Sequence, residues 1–354
     1  MARVEDIIDI LKKVPFPGLD QDIVSLGYVK EVGRQDGQVR IRMEIATSDA
    51  KAAQTIEREV RRRLDEAGVN YDLQVTNPAA PQASRGQDAQ QAPGGQVQFE
   101  DLLPDVKRKI AIASGKGGVG KSTVAVNLAL ALREHGEDVG LLDADIYGPS
   151  MPTMLGVTQQ TPKMVGEKVD PIVAHGIRAM SLGFLAAGTD PIIWRGPLAS
   201  RAIEQLMSDV EWSGTQTLIL DLPPGTGDIQ ISIAQKGNLS GAIVVTTPQD
   251  VALIDAIKGV RMFQKMNVPV LGIVENMSYF ECPHCRKRSE IFPRGHLQEE
   301  LDKLGMPLLG TIPIDPAIAA GGDSGRPILI ATPESAAARA FKQLAAEVNQ
   351  ALAQ

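Results

Sequence analysis

The 354-residue sequence has few aromatic residues, only two cysteines and no excess of positive charge. Aromatic residues make up 4% of the chain, which argues against a stacking platform for single-stranded nucleic acid. The formal net charge of -7 argues against general nucleic-acid binding through bulk positive charge. We therefore expect no nucleic acid among the partners of this protein.

Long hydrophobic runs are also missing. No stretch approaches the roughly 18 apolar residues that a membrane-spanning helix needs. The first residues, Met1 to Asp6, include acidic side chains, and no apolar segment typical of a signal peptide follows them. The sequence thus predicts a soluble, cytoplasmic protein without a membrane partner. Two cysteines three positions apart do not indicate a secreted disulfide framework; in a cytoplasmic chain they indicate metal or redox chemistry.

A glycine-rich motif is the strongest signal in the chain. Gly-Lys-Gly-Gly-Val-Gly-Lys-Ser-Thr at residues 115–123 fits the phosphate-binding P-loop pattern, between a strand-like run and a helical stretch. Backbone N–H groups and the helix N-terminus would hold phosphate, with Lys121 at the β and γ phosphates and Ser122 on Mg²⁺. The predicted nucleotide-binding residues of the motif are Gly115, Lys116, Gly117, Gly118, Val119, Gly120, Lys121, Ser122 and Thr123.

Acidic residues follow two further strand-like runs. Asp221 ends one of them and precedes a glycine-containing loop, a position typical of a Mg²⁺ partner beside a switch that senses the γ-phosphate. Asp143 and Asp145 leave another strand on the same side, so both could face the phosphates. One would orient the attacking water and the other would hold Mg²⁺-bound water. Alternatively, one of the two only caps a loop.

Composition divides the chain into three parts. Residues 1–76 predict a small α+β domain, and residues 77–106, rich in Gln, Ala, Gly and Pro, predict a flexible linker. From 107 to 354, apolar strands alternate with helices, which predicts an α/β domain with a mostly parallel sheet and helices on both faces. Ligands bind at the carboxyl ends of such strands, where the P-loop, Asp143 and Asp221 would converge.

Periodicity predicts the individual elements. In the first domain we expect helices at 4–11 and 51–67 and strands at 25–32, 39–45 and 71–75. An arginine cluster on the second helix indicates a solvated face or, alternatively, a docking surface. In the second domain the predicted strands are 110–114, 139–143, 217–221, 241–246, 270–275 and 308–312, with a last helix at 333–352.

Cys282-Pro283-His284-Cys285 is the second chemical motif. Two thiolates at this spacing on a tight turn can bind one soft metal centre. They are only half of the ligands that an iron–sulfur cluster or a structural zinc requires, and the chain contains no other cysteine. The remaining ligands must be histidines, exogenous groups or the same pair from a second subunit. Three alternatives stay open: a bridging iron–sulfur cluster, zinc with His284 or His296, and a redox pair.

The motifs together resemble a known class of proteins. Lys116 inside the P-loop, Asp143-x-Asp145 and Asp221-x-Pro-Pro-Gly resemble the deviant P-loop ATPases such as MinD, ParA and the nitrogenase iron protein. Asp-Ala-Asp-Ile-Tyr-Gly-Pro-Ser-Met-Pro from residue 143, Asp-Leu-Pro-Pro-Gly-Thr-Gly-Asp from 221 and Val-Glu-Asn-Met-Ser from 274 narrow the resemblance to the Mrp/ApbC family of iron–sulfur cluster carrier ATPases. The first domain is similar to the SufT-like domain fused to bacterial members.

The resemblance implies an ATP hydrolase that works as a homodimer. It implies catalytic roles for Lys116, which would cross to the partner's nucleotide, for Lys121, and for Asp145, which would position water. Adenine recognition would fall to Asn276 and to the segment containing Pro313 and Asp315; alternatively, Asn276 only bridges two loops.

The same resemblance implies the cargo and the partners. Cys282 and Cys285 would hold a [4Fe–4S] cluster that bridges two subunits, received from a scaffold donor and handed to apoproteins. Since the first domain has no cysteine, we expect no cluster ligand there.

Two other functions remain as alternatives. A positioning or regulatory ATPase of the MinD/ParA kind would need a basic DNA face or a basic amphipathic C-terminal helix, and the last helix has only Arg339 and Lys342 as cations. A zinc-binding adaptor with a vestigial P-loop is the third hypothesis, and intact Lys121, Ser122 and Asp221 argue against it.

Overall fold

The computed structural model describes residues 4–12, 14, 22–24, 28–35, 38–44, 50–69, 71–76, 101–146, 148–184, 196–293 and 295–353. The chain divides into two compact units, Met1–Gly95 and Gln96–Gln354. The predicted end of the first domain at residue 76 stays a prediction, because residues 77–100 lie outside the described residues.

Within its described residues, the first unit is a three-stranded sheet with two helices. Its elements are α1 (Val4–Leu11), β1 (Val29–Gln35), β2 (Gln38–Glu44), α2 (Ala50–Glu66) and β3 (Tyr71–Thr76). Strand β2 is central, antiparallel to β1 and parallel to β3. The apolar faces of the helices, including Leu11 and Val60, meet alternate residues of β2, such as Ile41, in one core. Strand β1 starts later than predicted, at Val29, and residues 25–27 are not among the described ones.

Three of the four arginines of α2 are paired with acidic residues of the same helix. Arg61 binds Glu57 at 2.7 Å, and Arg62 binds Glu59 and Glu66, each at 2.6 Å. These exposed pairs at helical spacing support a solvated face, the simpler of the two predicted interpretations.

The second unit contains the remaining elements. Its strands are β4 (Arg108–Ser114), β5 (Val139–Asp143), β6 (Lys163–Val165), β7 (Lys168–Asp170), β8 (Ile172–Ala174), β9 (Ile177–Ser181), β10 (Thr217–Asp221), β11 (Gly241–Thr246), β12 (Val270–Glu275), β13 (Phe280–Glu281), β14 (Arg288–Ser289) and β15 (Leu308–Thr311). Its helices are α3 (Lys121–Glu134), α4 (Met151–Met154), α5 (Gly196–Ser208), α6 (Asp228–Lys236), α7 (Asp250–Lys265), α8 (Leu297–Leu304), α9 (Pro316–Asp323), α10 (Ile328–Ala331) and α11 (Ala336–Leu352), with a 3₁₀ turn at Leu182–Phe184.

Eight strands form the central sheet of this unit, in the order β15-β12-β11-β4-β10-β5-β9-β8. Seven are parallel, and the edge strand β8 is antiparallel to β9. The register pairs Asp221 of β10 with Asp143 of β5 on one side and with Ile112 of β4 on the other. The carboxyl end of β10 therefore lies between the P-loop strand and the strand that leads to Asp145.

Burial confirms the predicted α/β architecture. Every residue of β5, β10 and β11 is buried, although successive side chains point to opposite faces, so both faces of the sheet are covered. Helices α3 and α11 pack against each other and against strands of the sheet, while α7 packs on β11 and β4. Strands β6 to β9, between residues 163 and 181, were not predicted, since their short length and mixed exposure produce no clear period.

The end of the predicted linker is packed against the second unit. Leu103 and Val106 are buried in its core, and the N–H of Leu102 donates to the carbonyl of Lys236 at 3.1 Å. The Nζ atom of Lys109 contacts Asp101 at 2.5 Å. Residues 101–106 therefore belong to the second unit, which corrects the prediction that the linker extends to residue 106. Among the described helices, none is long and apolar enough to cross a membrane.

Candidate functional site

The P-loop joins β4 to α3 at the carboxyl edge of the sheet. Gly120 is the N-cap of α3 and has φ 81°, a left-handed conformation that glycine adopts without the steric penalty of a Cβ atom. A Cβ on Gly115 would lie 2.2 Å from the backbone carbon of Asp255 in α7. The Oγ atom of Ser114 donates to the carbonyl of Lys116 at 3.0 Å. The left-handed backbone thus explains the glycine at 120, and close packing explains the glycine at 115. The Ser114 hydrogen bond holds the start of the loop.

A buried ion pair closes the floor of the site. The Nζ atom of Lys121 donates to Oδ1 of Asp221 at 2.6 Å and lies 3.6 Å from Oδ2 of Asp145. Burial raises the pKa of Asp221, and the charge of Lys121 opposes that shift. The other oxygen of Asp221, Oδ2, is buried without a hydrogen-bond partner among the described residues. An oxygen of this kind is a suitable ligand for a divalent cation or for a cation-bound water.

A cavity of about 740 Å³ opens above this pair. It is bordered by the P-loop, by Asp145 and the following turn, by Pro224, and by one side of α9. The structure thus brings together most of the predicted phosphate-binding residues, namely Gly117, Gly118, Gly120, Lys121, Ser122, Thr123 and Asp145. Lys116 is half-buried and forms no ion pair with another described residue, so its ammonium group is available to a ligand or to a second copy.

Asp143 does not face this cavity, which corrects the expectation that both acidic residues would. Its Oδ1 accepts from the N–H of Asp145 at 3.0 Å, and its Oδ2 accepts from Ser181 Oγ at 3.0 Å and from the N–H of Met151 at 3.4 Å. Burial, followed by the charge of Asp221, raises the pKa of Asp143 to about 7. Asp143 therefore holds the turn that carries Asp145, which is the loop-capping alternative.

Two of these supporting residues were missed at the level of sequence. Ser181 ends β9, a strand that the sequence did not predict, and it also accepts from the N–H of Gly183 at 3.0 Å. Gln230, on α6, is buried, and its Nε2 donates to the carbonyls of Pro223 at 2.9 Å and Pro224 at 3.2 Å. A glutamine five positions after the Asp-Leu-Pro-Pro-Gly segment was the signal that the sequence offered. These contacts fix the turn that carries Asp145 and the loop that follows Asp221.

Asn276 bridges two loops. Its Nδ2 donates to the carbonyl of Val119 inside the P-loop at 2.9 Å, and its backbone N–H donates to Thr246 at 2.8 Å. A Cβ on Gly120 would lie 2.1 Å from that Nδ2 atom. The side-chain amide thus has the bridging contact that the sequence left as the alternative, and adenine recognition by Asn276 stays a prediction.

Pro313 and Asp315 lie along a different cavity. It measures about 440 Å³ and is also bordered by Cys282 and Arg339. Asp315 is the N-cap of α9, with Oδ1 accepting from the N–H of Ala317 at 2.9 Å. The expected adenine segment is therefore placed beside the cysteines, while the following turns of α9 reach the P-loop cavity.

The two cysteines occupy the tip of a hairpin formed by β13 and β14. The N–H of Cys282 donates to the carbonyl of Lys287 at 3.0 Å, and the N–H of Arg286 donates back to the carbonyl of Cys282 at 2.8 Å. Both thiols are free, with Cys282 half-buried and Cys285 exposed. The pKa of the Cys282 thiol is lowered by hydrogen bonds from the backbone N–H of Cys285, from the backbone N–H of His284 and from the Cys285 thiol. This favours the thiolate, the form that binds metal.

No third protein ligand lies beside the pair in the part of the chain that the structure describes. Among the described residues, no group of three His, Cys, Asp or Glu side chains is placed to hold a metal ion. His296 contacts Asp250, with Nδ1 3.2 Å from Oδ1. The geometry therefore gives no support to a zinc site completed by His284 or His296 of the same chain.

Comparisons with known proteins agree with this geometry. The model of the NUBPL iron-transfer P-loop NTPase family matches residues 105–349, and that of an iron–sulfur cluster assembly protein family matches residues 4–70. The iron–sulfur cluster carrier protein of Helicobacter pylori is 40% identical over 99% of this chain and 93% of its own length. The iron–sulfur cluster carrier protein of Escherichia coli is 50% identical over 71% of this chain and 69% of its own length.

Solved structures show the same nucleotide-binding fold. A nucleotide-binding protein of Archaeoglobus fulgidus in complex with ADP is 37% identical, with a TM-score of 0.57 over 64% of this chain and 89% of that chain. The septum site-determining protein MinD of Pyrococcus horikoshii with Mg-ADP is 26% identical, with a TM-score of 0.50 over 69% of this chain and 96% of that chain. The family match and the near full-length relative confirm the predicted resemblance: the chain belongs to the NUBPL iron-transfer P-loop NTPases, and an iron–sulfur cluster assembly domain precedes its NTPase domain.

Proposed function

We propose that this protein is an ATP-dependent iron–sulfur cluster carrier that binds its cargo between two copies of the chain and passes it to apoproteins. The observation that carries the proposal is the hairpin with two free thiols and no third ligand among the described residues. Relatives named as iron–sulfur cluster carrier proteins, 40–50% identical to this chain, support the nature of the cargo.

The number of thiolates that a cluster requires supports a dimer. A [4Fe–4S] cluster is held by four thiolates, whereas Cys282 and Cys285 supply two. A twofold axis passing near the hairpin would bring an identical pair from a second copy and complete the set. The exposure of Cys285 suits this arrangement, because a cargo that is handed on must be reached by the acceptor.

The residues of the nucleotide site support ATP binding in which the buried ion pair exchanges its partners. In the proposed cycle, Lys121 leaves Asp221 and binds the β and γ phosphates. Ser122 and Asp221 would then hold Mg²⁺, which supplies Lewis-acid stabilisation of the phosphate charge, and the unpartnered Oδ2 of Asp221 fits that role. Asp145, held by Asp143, would orient the water that attacks the γ-phosphate. Lys116 would extend to the nucleotide of the partner subunit, as an arginine finger does.

Helix α9 offers a physical connection between the two sites. Its first residue, Pro316, borders the cavity beside Cys282, and Ile318 and Gly322 border the P-loop cavity. The preceding Ile314 donates its N–H to the carbonyl of Tyr279, at the base of the hairpin, at 2.7 Å. A shift of α9 on nucleotide binding would therefore move the base of the hairpin, which supports a dependence of cluster binding on ATP.

The setting completes the proposal. We expect the protein to act in the cytoplasm, to receive the cluster from a scaffold donor and to pass it to apoprotein recipients. The name of its bacterial relatives, iron–sulfur cluster carrier protein, supports the carrying of a cluster.

The test is anaerobic reconstitution of the double variant Cys282→Ala/Cys285→Ala with iron and sulfide. We expect loss of cluster absorbance and of bound iron, with nucleotide binding unchanged. His284→Ala is the matched control, since it alters the same turn without removing a thiol, and it should load cluster as the wild type does. Unchanged iron and sulfide content in the double variant would contradict the proposal. Zinc without sulfide in the wild-type chain would favour an adaptor instead.

A further inference from the structure

The tip of the cysteine hairpin is locally basic in a chain whose net charge is -7. Between Cys282 and Ser289 the sequence has three consecutive cations, Arg286, Lys287 and Arg288, and no acidic residue. All residues from 283 to 290 are exposed. The turn itself is thus positively charged, while Glu281, Asp315 and Glu334 border the cavity on the side of Cys282.

The three cations differ in their contacts. Arg288 lies over the ring of Tyr279, 4.3 Å from its centroid, and its Nε is 3.8 Å from Glu281. These contacts join β14 to β13 and to the base of the hairpin. Arg286 and Lys287, in contrast, form no ion pair with another described residue. Arg288 is therefore partly engaged within the protein, and the other two cations are free for a partner.

The backbone keeps the free cations beside the thiols. The N–H of Arg286 donates to the carbonyl of Cys282, and the carbonyl of Lys287 accepts from the N–H of Cys282. The backbone of both residues is thereby bonded to the backbone of the same residue, Cys282. Arg286 borders the same cavity as Cys282, and a second copy of the hairpin would double the number of cations.

Charge has a direct consequence for transfer. An acceptor site must present thiolates, and it is therefore negative. The carrier chain that approaches it is also negative, with a net charge of -7. Electrostatic interactions are screened within about 8–10 Å at physiological salt, so only charges near the point of contact act on the approach. Free cations at the hairpin tip would offset the repulsion where the two proteins meet.

We propose that Arg286 and Lys287 form a docking surface for an acidic protein segment that surrounds the cysteines of a cluster acceptor. This inference rests on the proposed carrier function. A protein is favoured over nucleic acid as the partner, because two free cations replace few phosphate counterions and the tip segment contains no aromatic residue for stacking.

The test compares two charge-reversal variants of the full chain. Arg286→Glu/Lys287→Glu alters the proposed surface. Lys163→Glu/Lys265→Glu makes the same change in net charge at two exposed lysines that form no ion pair with a described residue. The probe is an apo-ferredoxin with an acidic surface. Its binding to the unloaded chain and its rate of cluster uptake from the loaded chain are measured at low and high ionic strength.

For the wild type and the control variant, we expect binding and transfer that weaken as salt is added. For the hairpin variant, both should fall by about tenfold at low salt and lose most of their salt dependence. Equal rates and affinities for all three proteins would overturn the proposal. So would a hairpin variant that loads less cluster but transfers what it holds at the wild-type rate, because the cations would then serve cargo retention.

The two hypotheses fail in different ways. If the wild-type chain binds no cluster, the proposed carrier function is wrong. Binding of the ferredoxin to the unloaded chain still tests the proposed docking surface. A short duplex DNA that binds more tightly than the ferredoxin, and only when Arg286 and Lys287 are present, would overturn the assignment to a protein partner.

Discussion

The Nζ atom of Lys121 lies 2.6 Å from Oδ1 of Asp221, in a pair where the two side chains are 6% and 0% exposed. The lysine expected to bind phosphate is thus satisfied by the carboxylate expected to bind Mg²⁺. A nucleotide with its metal ion would separate the two charges and give each a new partner. The site is therefore arranged for exchange of partners, without an unpaired buried charge before or after binding.

Removal of one partner of this ion pair should lower the stability of the folded chain. Lys121→Met leaves the buried Asp221 carboxylate without a counter-charge, and we expect the free energy of unfolding to fall by about 3–5 kcal/mol. The double variant Lys121→Met/Asp221→Asn should recover much of that loss, while neither variant binds ATP tightly. Urea unfolding and a nucleotide titration check both statements. A single variant as stable as the wild type would show that the pair is not charged in the folded chain.

The contact between Gly120 and Asn276 predicts a coupled effect on the P-loop. Gly120→Ala should destabilise the chain by roughly 1–2 kcal/mol through its left-handed backbone alone, with a further cost from the clash with Asn276 Nδ2. Asn276→Ala alone removes one hydrogen bond and should cost about 1 kcal/mol. In the double variant the clash disappears. Its loss of unfolding free energy should therefore be smaller than the sum of the losses in the two single variants. Strictly additive costs, measured by urea unfolding, would contradict the geometry.

The buried Asp143 predicts a pH dependence of stability. Its pKa of about 7 in the folded chain lies above the ordinary value of 3.8, so its contribution to stability is complete below pH 3.8 and is lost as the pH rises through 7. The loss amounts to at most about 4 kcal/mol. Asp143→Asn should therefore show a smaller decline in unfolding free energy between pH 5 and pH 8 than the wild type.

Glu299→Gln is the control for that measurement, because this exposed side chain lies on α8, far in sequence from the site. It should keep the wild-type slope. The prediction fails if Asp143→Asn and the wild type lose equal stability over this pH range.

The proposed role of Lys116 across the dimer predicts complementation between two inactive variants. Lys116→Ala and Lys121→Ala chains should each lack ATPase activity. In a mixed dimer, the nucleotide site with intact Lys121 receives Lys116 from the other chain. Half of the dimers in an equal mixture are mixed and each has one complete site, so we expect about a quarter of the wild-type activity. An equal mixture that stays inactive after subunit exchange would argue for action of Lys116 within its own subunit.

Much of the fold could be predicted from sequence. Strands β5, β10, β11 and β12 have the predicted bounds because each is a short apolar run that ends at a polar residue or a turn signal. The P-loop motif likewise predicts the residues around the 740 Å³ cavity, since its glycines and Lys121 are adjacent in sequence. Local patterns of this kind need no knowledge of tertiary contacts.

The remaining features depend on contacts between distant segments. The direction of the Asp143 carboxylate is decided by Ser181, 38 positions away on a strand that sequence periodicity did not show. The partner of Asn276 is the carbonyl of Val119, 157 positions away. The place of Asp315 beside the cysteine cavity follows from pairing of the Ile314 segment with Phe280. No local pattern contains such information, because it arises only when the sheet has formed.

The central claim is that two copies of the chain share one cluster through Cys282 and Cys285. Native mass spectrometry of the anaerobically reconstituted protein, with iron and sulfide analysis of the same sample, tests it most directly. We expect a dimer that carries one four-iron cluster, and a monomer without iron when both cysteines are replaced by alanine. A complete cluster on a single chain, or a dimer that keeps its cluster in the double variant, would contradict it.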